Sequence, residues 1–346
     1  MTPSRQEAEA ALARDYPPAD CPALTRQRTD WARARPLAGL TVLDATPLFR
    51  NTLVKHLALQ AAGAEVWVGY GRAMPFDPQA ADLAPALGLR VPDAARLARG
   101  FDVVLDCAAA FADVPARLGR AELTRSGALR YRALALPCPV LDVDAGRVKT
   151  FETALGTGDG LIRGLRRFGV GDLRGRLAVV FGCGKVGRGI LFRLAREGAR
   201  CFVVDPARPD PPRGAALAED PPAFLRRADL VVTATGRKDA AAPYAADLLA
   251  GHAVLANMGV EDEFGPGVPA DRVLNAKAPL NFALPDPTRM RYIDPTMALH
   301  NLAALRLAHA APAPGLHPIA PADETDILAA LPQPLLDELT AFEDAQ

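Results

Sequence analysis

The residues of this chain best suited to chemistry begin with three glycines at close spacing, Gly182-Cys183-Gly184-Lys185-Val186-Gly187. An apolar run, Leu177 to Phe181, precedes them, and Arg188 to Glu197 follows at helical spacing. In such a strand–turn–helix unit the first glycine permits the bend out of the strand. The second lets backbone approach a pyrophosphate, and the third lets helix pack on strand. The helix N-terminus at Lys185, Val186 and Gly187 then holds the phosphates. Asp205 closes the next apolar strand, Cys201 to Val204, at about the twenty-residue offset of an acid that accepts ribose hydroxyls. That carboxylate repels a 2′-phosphate, whereas Arg208 a little beyond attracts one. The acid decides the expectation in favour of NAD.

Other side chains could act on a substrate. Asp44 and Thr46 end an early apolar strand, where open α/β sheets place their ligands, and Arg50 nearby could clamp a carboxylate or phosphate through its bidentate fork. Lys149 is one of few lysines in the chain and could hold a carboxylate or give up its proton readily. Glu152, three residues on, would share a helical face with it and could pair. The bland alternatives are a solvated lysine and a surface ion pair of small worth. Cys107 has no evident base beside it and reads as a buried thiol. His252 and His300 lack clustered partners, so no metal site is expected.

These residues need elements to position them. Leu40 to Asp44, Ala64 to Gly69, Asp102 to Leu105 and Pro139 to Asp142 read as strands, with helical spacing between them. After the glycine turn, Cys201 to Val204, Leu230 to Thr235 and Ala253 to Asn257 continue the alternation. Strands alternating with helices predict right-handed crossovers and parallel sheets. A helical preface is expected over 1–35, broken at Pro17-Pro18 and Pro22, with Trp31 packing it down. An apolar helix is expected from Met297 to Ala308, its start marked by Asp294-Pro295-Thr296, where Asp suits an N-cap and Pro the first turn. The prolines from 312 to 321 predict an extended crossing before a last short helix.

The fold class is therefore α/β, with two doubly wound domains: a substrate domain over 1–150 plus 295–346, and a Rossmann domain over 151–294 inserted in it. A ligand is expected in the cleft between them. The 346 residues suffice for two cores. Lys plus Arg equals Asp plus Glu, 40 against 40, so no net field draws nucleic acid or an anionic membrane. Five cysteines without C-x-x-C spacing support neither a disulfide framework nor zinc. No apolar run has the length of a membrane span, and the N-terminus lacks a signal core. A cytoplasmic protein acting on a small molecule is the expectation.

Taken in order, these blocks resemble the S-adenosylhomocysteine hydrolase family from about Pro36 to Leu305. Phe151-Glu152-Thr153-Ala154-Leu155-Gly156 with Leu161-Ile162-Arg163-Gly164 looks like its hinge helix, and the glycine turn like its NAD turn. Val232-Thr233-Ala234-Thr235-Gly236 and Asn257-Met258-Gly259 look like its cofactor-lining strand ends. The resemblance implies that Thr233, Thr235, Gly236 and Asn257 line NAD, that Glu122 with Thr124 reads adenine and touches NAD, and that Asp294 faces the nicotinamide as an acid or base. It also suggests a homodimer.

In that family bound NAD oxidises the substrate's 3′-hydroxyl, a proton leaves the neighbouring carbon, the thiol departs, water adds and the hydride returns. Here the family's catalytic Asp falls on Cys107 beside Asp106, its Lys on Val148 beside Lys149, its next Asp on Glu152 and its Asn on Thr153. Its two histidines fall on Val260 and Asp294. The expectation is an NAD-dependent enzyme that oxidises a secondary alcohol or amine carbon of another substrate. A catalytically silent NAD- or nucleoside-binding regulator is the alternative. A plain 2-hydroxyacid dehydrogenase shares the architecture but needs a His and an Arg in a register where neither occurs.

Overall fold

The computed structural model describes residues 3–72 and 75–346. Residues 1 and 2 of the expected preface lie outside them. The chain divides into two units, one running to Thr150 and resuming over Met290–Gln333, the other formed by Phe151–Arg289 and Pro334–Gln346.

In the first unit the chain lays down β1 (Thr41–Asp44), β2 (Glu65–Val68), β3 (Phe101–Asp106), β4 (Ala116–Glu122) and β5 (Pro139–Asp142). The second unit contributes β6 (Leu177–Phe181), β7 (Arg200–Val204), β8 (Ala215–Leu217), β9 (Leu230–Thr233), β10 (Val254–Asn257) and β11 (Val273–Leu274). The chain then returns to the first unit for β12 (Gly315–Pro318). Among the described residues each unit holds one six-stranded sheet, ordered β2-β1-β3-β4-β5-β12 in the first and β8-β7-β6-β9-β10-β11 in the second. Every pairing is parallel, for example Val42 with Val66 and Val179 with Val231.

Both orders are doubly wound. The second unit follows the 3-2-1-4-5-6 order of dinucleotide-binding sheets, and the first begins in the 2-1-3-4-5 order of the other common class. The strands are short and apolar because helices cover both faces. In β6, Ala178 and Val180 join Ile190, Leu191 and Leu194 on one side of the sheet. Leu177, Val179 and Phe181 join Leu225, Leu248 and Phe264 on the other. Period-2 alternation thus feeds two cores from one continuous run.

The fold class matches the sequence reading, with several differences of detail. The strands β4, β8, β11 and β12 had no counterpart in the expected elements. β12 lies within the proline-rich crossing and pairs with β5. The return helix runs from Met290 to His309, so Asp294 and Pro295 lie inside it and do not mark its start. The last short helix expected near Glu324 to Leu331 is Pro321–Leu328, and a further helix, Gln333–Glu343, follows it, with Pro334–Gln346 grouped in the second unit. There Glu338 pairs with Arg193 at 2.5 Å and Phe342 meets Phe192 edge to face. Among the described residues no helix is long and apolar enough to cross a membrane.

Candidate functional site

In the first unit, the strand-end carboxylates expected to meet substrate are buried and bonded to the protein itself. Asp44 is 1% exposed. It forms an ion pair with Lys55, equally buried, and its other oxygen accepts the Thr46 backbone N–H at 2.8 Å. The Thr46 hydroxyl lies 3.5 Å from His300 Nδ1, and His300 Nε2 lies 3.1 Å from the Ala121 carbonyl. A carbonyl can only accept, so Nε2 carries the ring proton and Nδ1 accepts from Thr46. Burial pushes His300 well below the usual histidine range, which keeps this neutral tautomer.

Glu122, at the end of β4, is fully buried. Oε1 accepts from Ala108 N, Thr124 N and the Thr124 hydroxyl, at 3.0, 2.7 and 2.7 Å, while Oε2 accepts from Ala109 N at 2.9 Å. Ala108 and Ala109 both have positive φ, 59° and 49°, and the carboxylate collects the two N–H groups that this turn points inward. Burial, with Asp106 nearby, raises Glu122 to about 7. Glu122 thereby shapes the loop after β3. Arg50 pairs with Asp15 at 2.6 Å on the surface.

Asp294 differs most from its expected place. It is fully buried, and its carboxylate oxygens accept Ala23 N and Leu24 N at 2.9 Å each. It therefore caps the helix Pro22–Ala34, whose own N-cap residue, Cys21, supplies no side-chain bond. Lys149 is buried at 6% exposure in the short helical turn Arg147–Thr150. Glu152 is half-buried in the π-helical segment Phe151–Gly156, so the regular i, i+3 spacing assumed for the pair does not apply across it.

In the second unit β6 ends at Phe181 and Gly182 turns the chain at φ +93°. A Cβ there would lie 2.6 Å from the Ala234 carbonyl oxygen, and one on Gly187 would lie 2.0 Å from the Gly182 carbonyl oxygen. These two glycines are required by the protein's own packing. A Cβ on Gly184 would meet nothing within 4 Å, so the middle glycine borders open space at the N-terminus of the helix Lys185–Arg196, which has no side-chain cap. Lys185 and Val186 open that helix. The geometry fits a pyrophosphate laid against backbone. Asp205 follows β7, and its oxygens accept Cys183 N and Ala207 N at 2.9 Å each. Arg208 pairs with Glu219 at 2.7 Å.

The ends of β9 and β10 form one network. The Thr233 hydroxyl donates to Asn257 Oδ1 at 2.9 Å, which also accepts Gly259 N at 2.9 Å. Asn257 Nδ2 donates to the carbonyls of Gly259, Glu261 and Lys277. Asn257 is thus spent on shaping the loop beyond β10. Glu263, also fully buried, accepts from Thr235 N at 2.8 Å, from the Thr235 hydroxyl at 2.9 Å and from Gly236 N at 2.7 Å.

Residues 170–263 match the family described as "Putative NAD(P)-binding". The second unit is an NAD-binding Rossmann domain. Over 151 residues the chain is 36% identical to an adenosylhomocysteinase of Thermoplasma acidophilum, covering 41% of this chain and 37% of that protein. Over 275 residues it is 27% identical to the adenosylhomocysteinase of a Nostoc species, covering 69% of this chain and 64% of that one. The chain thus spans less than two thirds of these relatives. The crystal structure of a dipicolinate synthase component from Bacillus halodurans overlaps 78% of this chain and 98% of its own, at 11% identity and a TM-score of 0.48.

Three residues of these networks had no place in the sequence reading: Lys55, Glu263 and, as a bonded group, His300. Lys55 sits among apolar residues of the helix Thr52–Ala61, where a lysine in a buried stripe was a signal that could have been read. Glu263 lies in Glu261-Asp262-Glu263, which has the look of an exposed acidic loop.

Proposed function

We propose that the chain is an NAD-dependent enzyme that oxidises a secondary alcohol or amine carbon of a small nucleoside- or amino-acid-like substrate. Its acid–base groups differ from those of the adenosylhomocysteinases it resembles. The carrying observation is the glycine turn that opens the helix Lys185–Arg196, within residues that match an NAD(P)-binding family, accompanied by Val260, 67% exposed, and by Asp294, bonded to Ala23 N and Leu24 N, where the resemblance expects histidines. When bound, NAD accepts a hydride from the substrate carbon. The turn at Gly182–Gly187 holds its phosphates and Asp205 favours NAD over NADP by accepting ribose hydroxyls. Thr233, Thr235, Gly236 and Asn257 fix the backbone that lines it. Lys149 and Glu152 are the groups proposed to take the substrate's proton.

Two assays test this. Incubation with S-adenosylhomocysteine and a thiol reagent should release no homocysteine at enzymatic rates, and release would restore the hydrolase reaction. A panel of hydroxy acids, amino acids and nucleosides, followed by NADH absorbance, should contain a substrate. The second reading is a silent NAD-binding regulator, favoured by the engagement of Asp44, Glu122 and Asp294 with backbone donors. Tight NAD binding with neither an absorbance change nor conversion of any panel compound would select it. A plain dehydrogenase would accumulate NADH stoichiometrically with product, where a transient oxidation would not.

A further inference from the structure

We infer that Glu263 is a positioning residue for the nicotinamide half of the dinucleotide site, tying the ends of β9 and β10 into the surface on which that half rests. The inference rests on the NAD reading of the second unit. In a 3-2-1-4-5-6 sheet the dinucleotide crosses the point where strand order reverses, here between β6 and β9. The glycine turn after β6 and Asp205 after β7 serve the adenine side. The ends of β9 and β10 serve the other.

Glu263 comes after β10 but spends its carboxylate on the residues after β9, through the bonds to Thr235 and Gly236 given above. Gly236 is held at φ +67°, a conformation that N–H bonding from below can fix. The contact with β10 is as close. A Cβ on Gly259 would stand 1.9 Å from Glu263 Oε1, so glycine at 259 leaves the space the carboxylate occupies. A fully buried carboxylate is costly unless its oxygens are satisfied, and both are satisfied by the consecutive residues Thr235 and Gly236. Burial raises Glu263 from its usual range, against those bonds. The charged groups on the adjoining segments are Arg237, Lys238 and Asp239 beyond β9, and Glu261 and Asp262 beyond β10, of which Asp262 pairs with Lys277 at 2.9 Å.

The test compares two ligands, NAD and ADP-ribose, which lacks only the nicotinamide. Calorimetry on the full chain should show E263Q raising the NAD Kd about tenfold or more, the scale of one lost charged hydrogen bond. ADP-ribose affinity should stay within about twofold. G259A, which crowds the same carboxylate from the other side, should show the same selectivity. E261Q, on an exposed neighbour, should behave as the wild type. For the unaltered protein, lowering pH through the Glu263 titration should weaken NAD and spare ADP-ribose. Equal losses for both ligands, or NAD binding unmoved in E263Q and G259A, would overturn the inference. A wild type that binds neither ligand would instead remove the NAD reading on which it stands.

Discussion

Asp294 stands at the N-terminus of a helix to which it does not belong, accepting the Leu24 N–H at 2.9 Å and the Ala23 N–H beside it. These are the second and third residues of the helix Pro22–Ala34, the positions a local N-cap side chain would serve. D294A should therefore destabilise the protein by about 1–2 kcal/mol, as loss of a cap does. The effect should appear as an earlier urea midpoint.

Asp294 also predicts a pH dependence. Burial raises it from 3.8 to about 7, so the native state holds this proton more tightly than the unfolded chain does. The resulting stability is complete below about pH 4 and is lost as pH rises to about 7. D294N has no such proton. Urea midpoints of wild type and variant, compared at pH 4.5 and 8, should show the wild type losing ground to D294N at the higher pH. A constant difference would contradict the raised value.

The glycines of the turn should separate folding from binding. G187A places a methyl 2.0 Å from the Gly182 carbonyl oxygen and should lower the melting temperature and abolish NAD binding together. G184A meets only open space and keeps a φ of −79° that alanine accepts. Its stability should stay within about 0.5 kcal/mol of wild type, while NAD affinity falls about tenfold or more. Melting curves with and without NAD distinguish the two.

Lys55 and Asp44 are fully buried partners. Removing either leaves the other charge unpaired, and K55M should cost about 3–5 kcal/mol. The double variant K55M/D44N should recover most of that loss. Guanidinium denaturation of the four proteins measures the coupling.

Dinucleotide preference should respond to two substitutions. D205S removes the carboxylate proposed to favour NAD and should weaken it about tenfold to a hundredfold, the range for a charged hydrogen bond. Arg208 is held by Glu219, so NADP should gain little until E219Q releases it. Titrations of both dinucleotides against the single and double variants test the order of these effects.

The sheets were largely legible in the sequence because parallel strands covered on both sides are continuous apolar runs. Val179-Val180-Phe181 and Val103-Val104-Leu105 announce themselves. β4 escaped notice for the opposite reason. Its sequence, Ala-Arg-Leu-Gly-Arg-Ala-Glu, looks solvated, yet Arg120 and Glu122 are buried with backbone partners in the loop after β3. A polar residue satisfied by distant backbone cannot be told from an exposed one without the fold. The same limit applies to Asp294: capping preference was read correctly as chemistry, but the sequence could not say that the helix it caps begins more than two hundred residues earlier. The glycine turn was legible because its constraints are local.

The passage of the chain between units at Thr150, Arg289 and Gln333 has a consequence during synthesis. The first unit lacks β12, His300 and the cap from Asp294 until residues 290–333 have emerged, and by then the intervening Rossmann segment has already been made. That segment in turn waits for Glu338 and Phe342 to cover Arg193 and Phe192. Neither unit can finish folding in the order in which it is translated. Each unit is therefore completed only by a segment that emerges after the bulk of the other has been made.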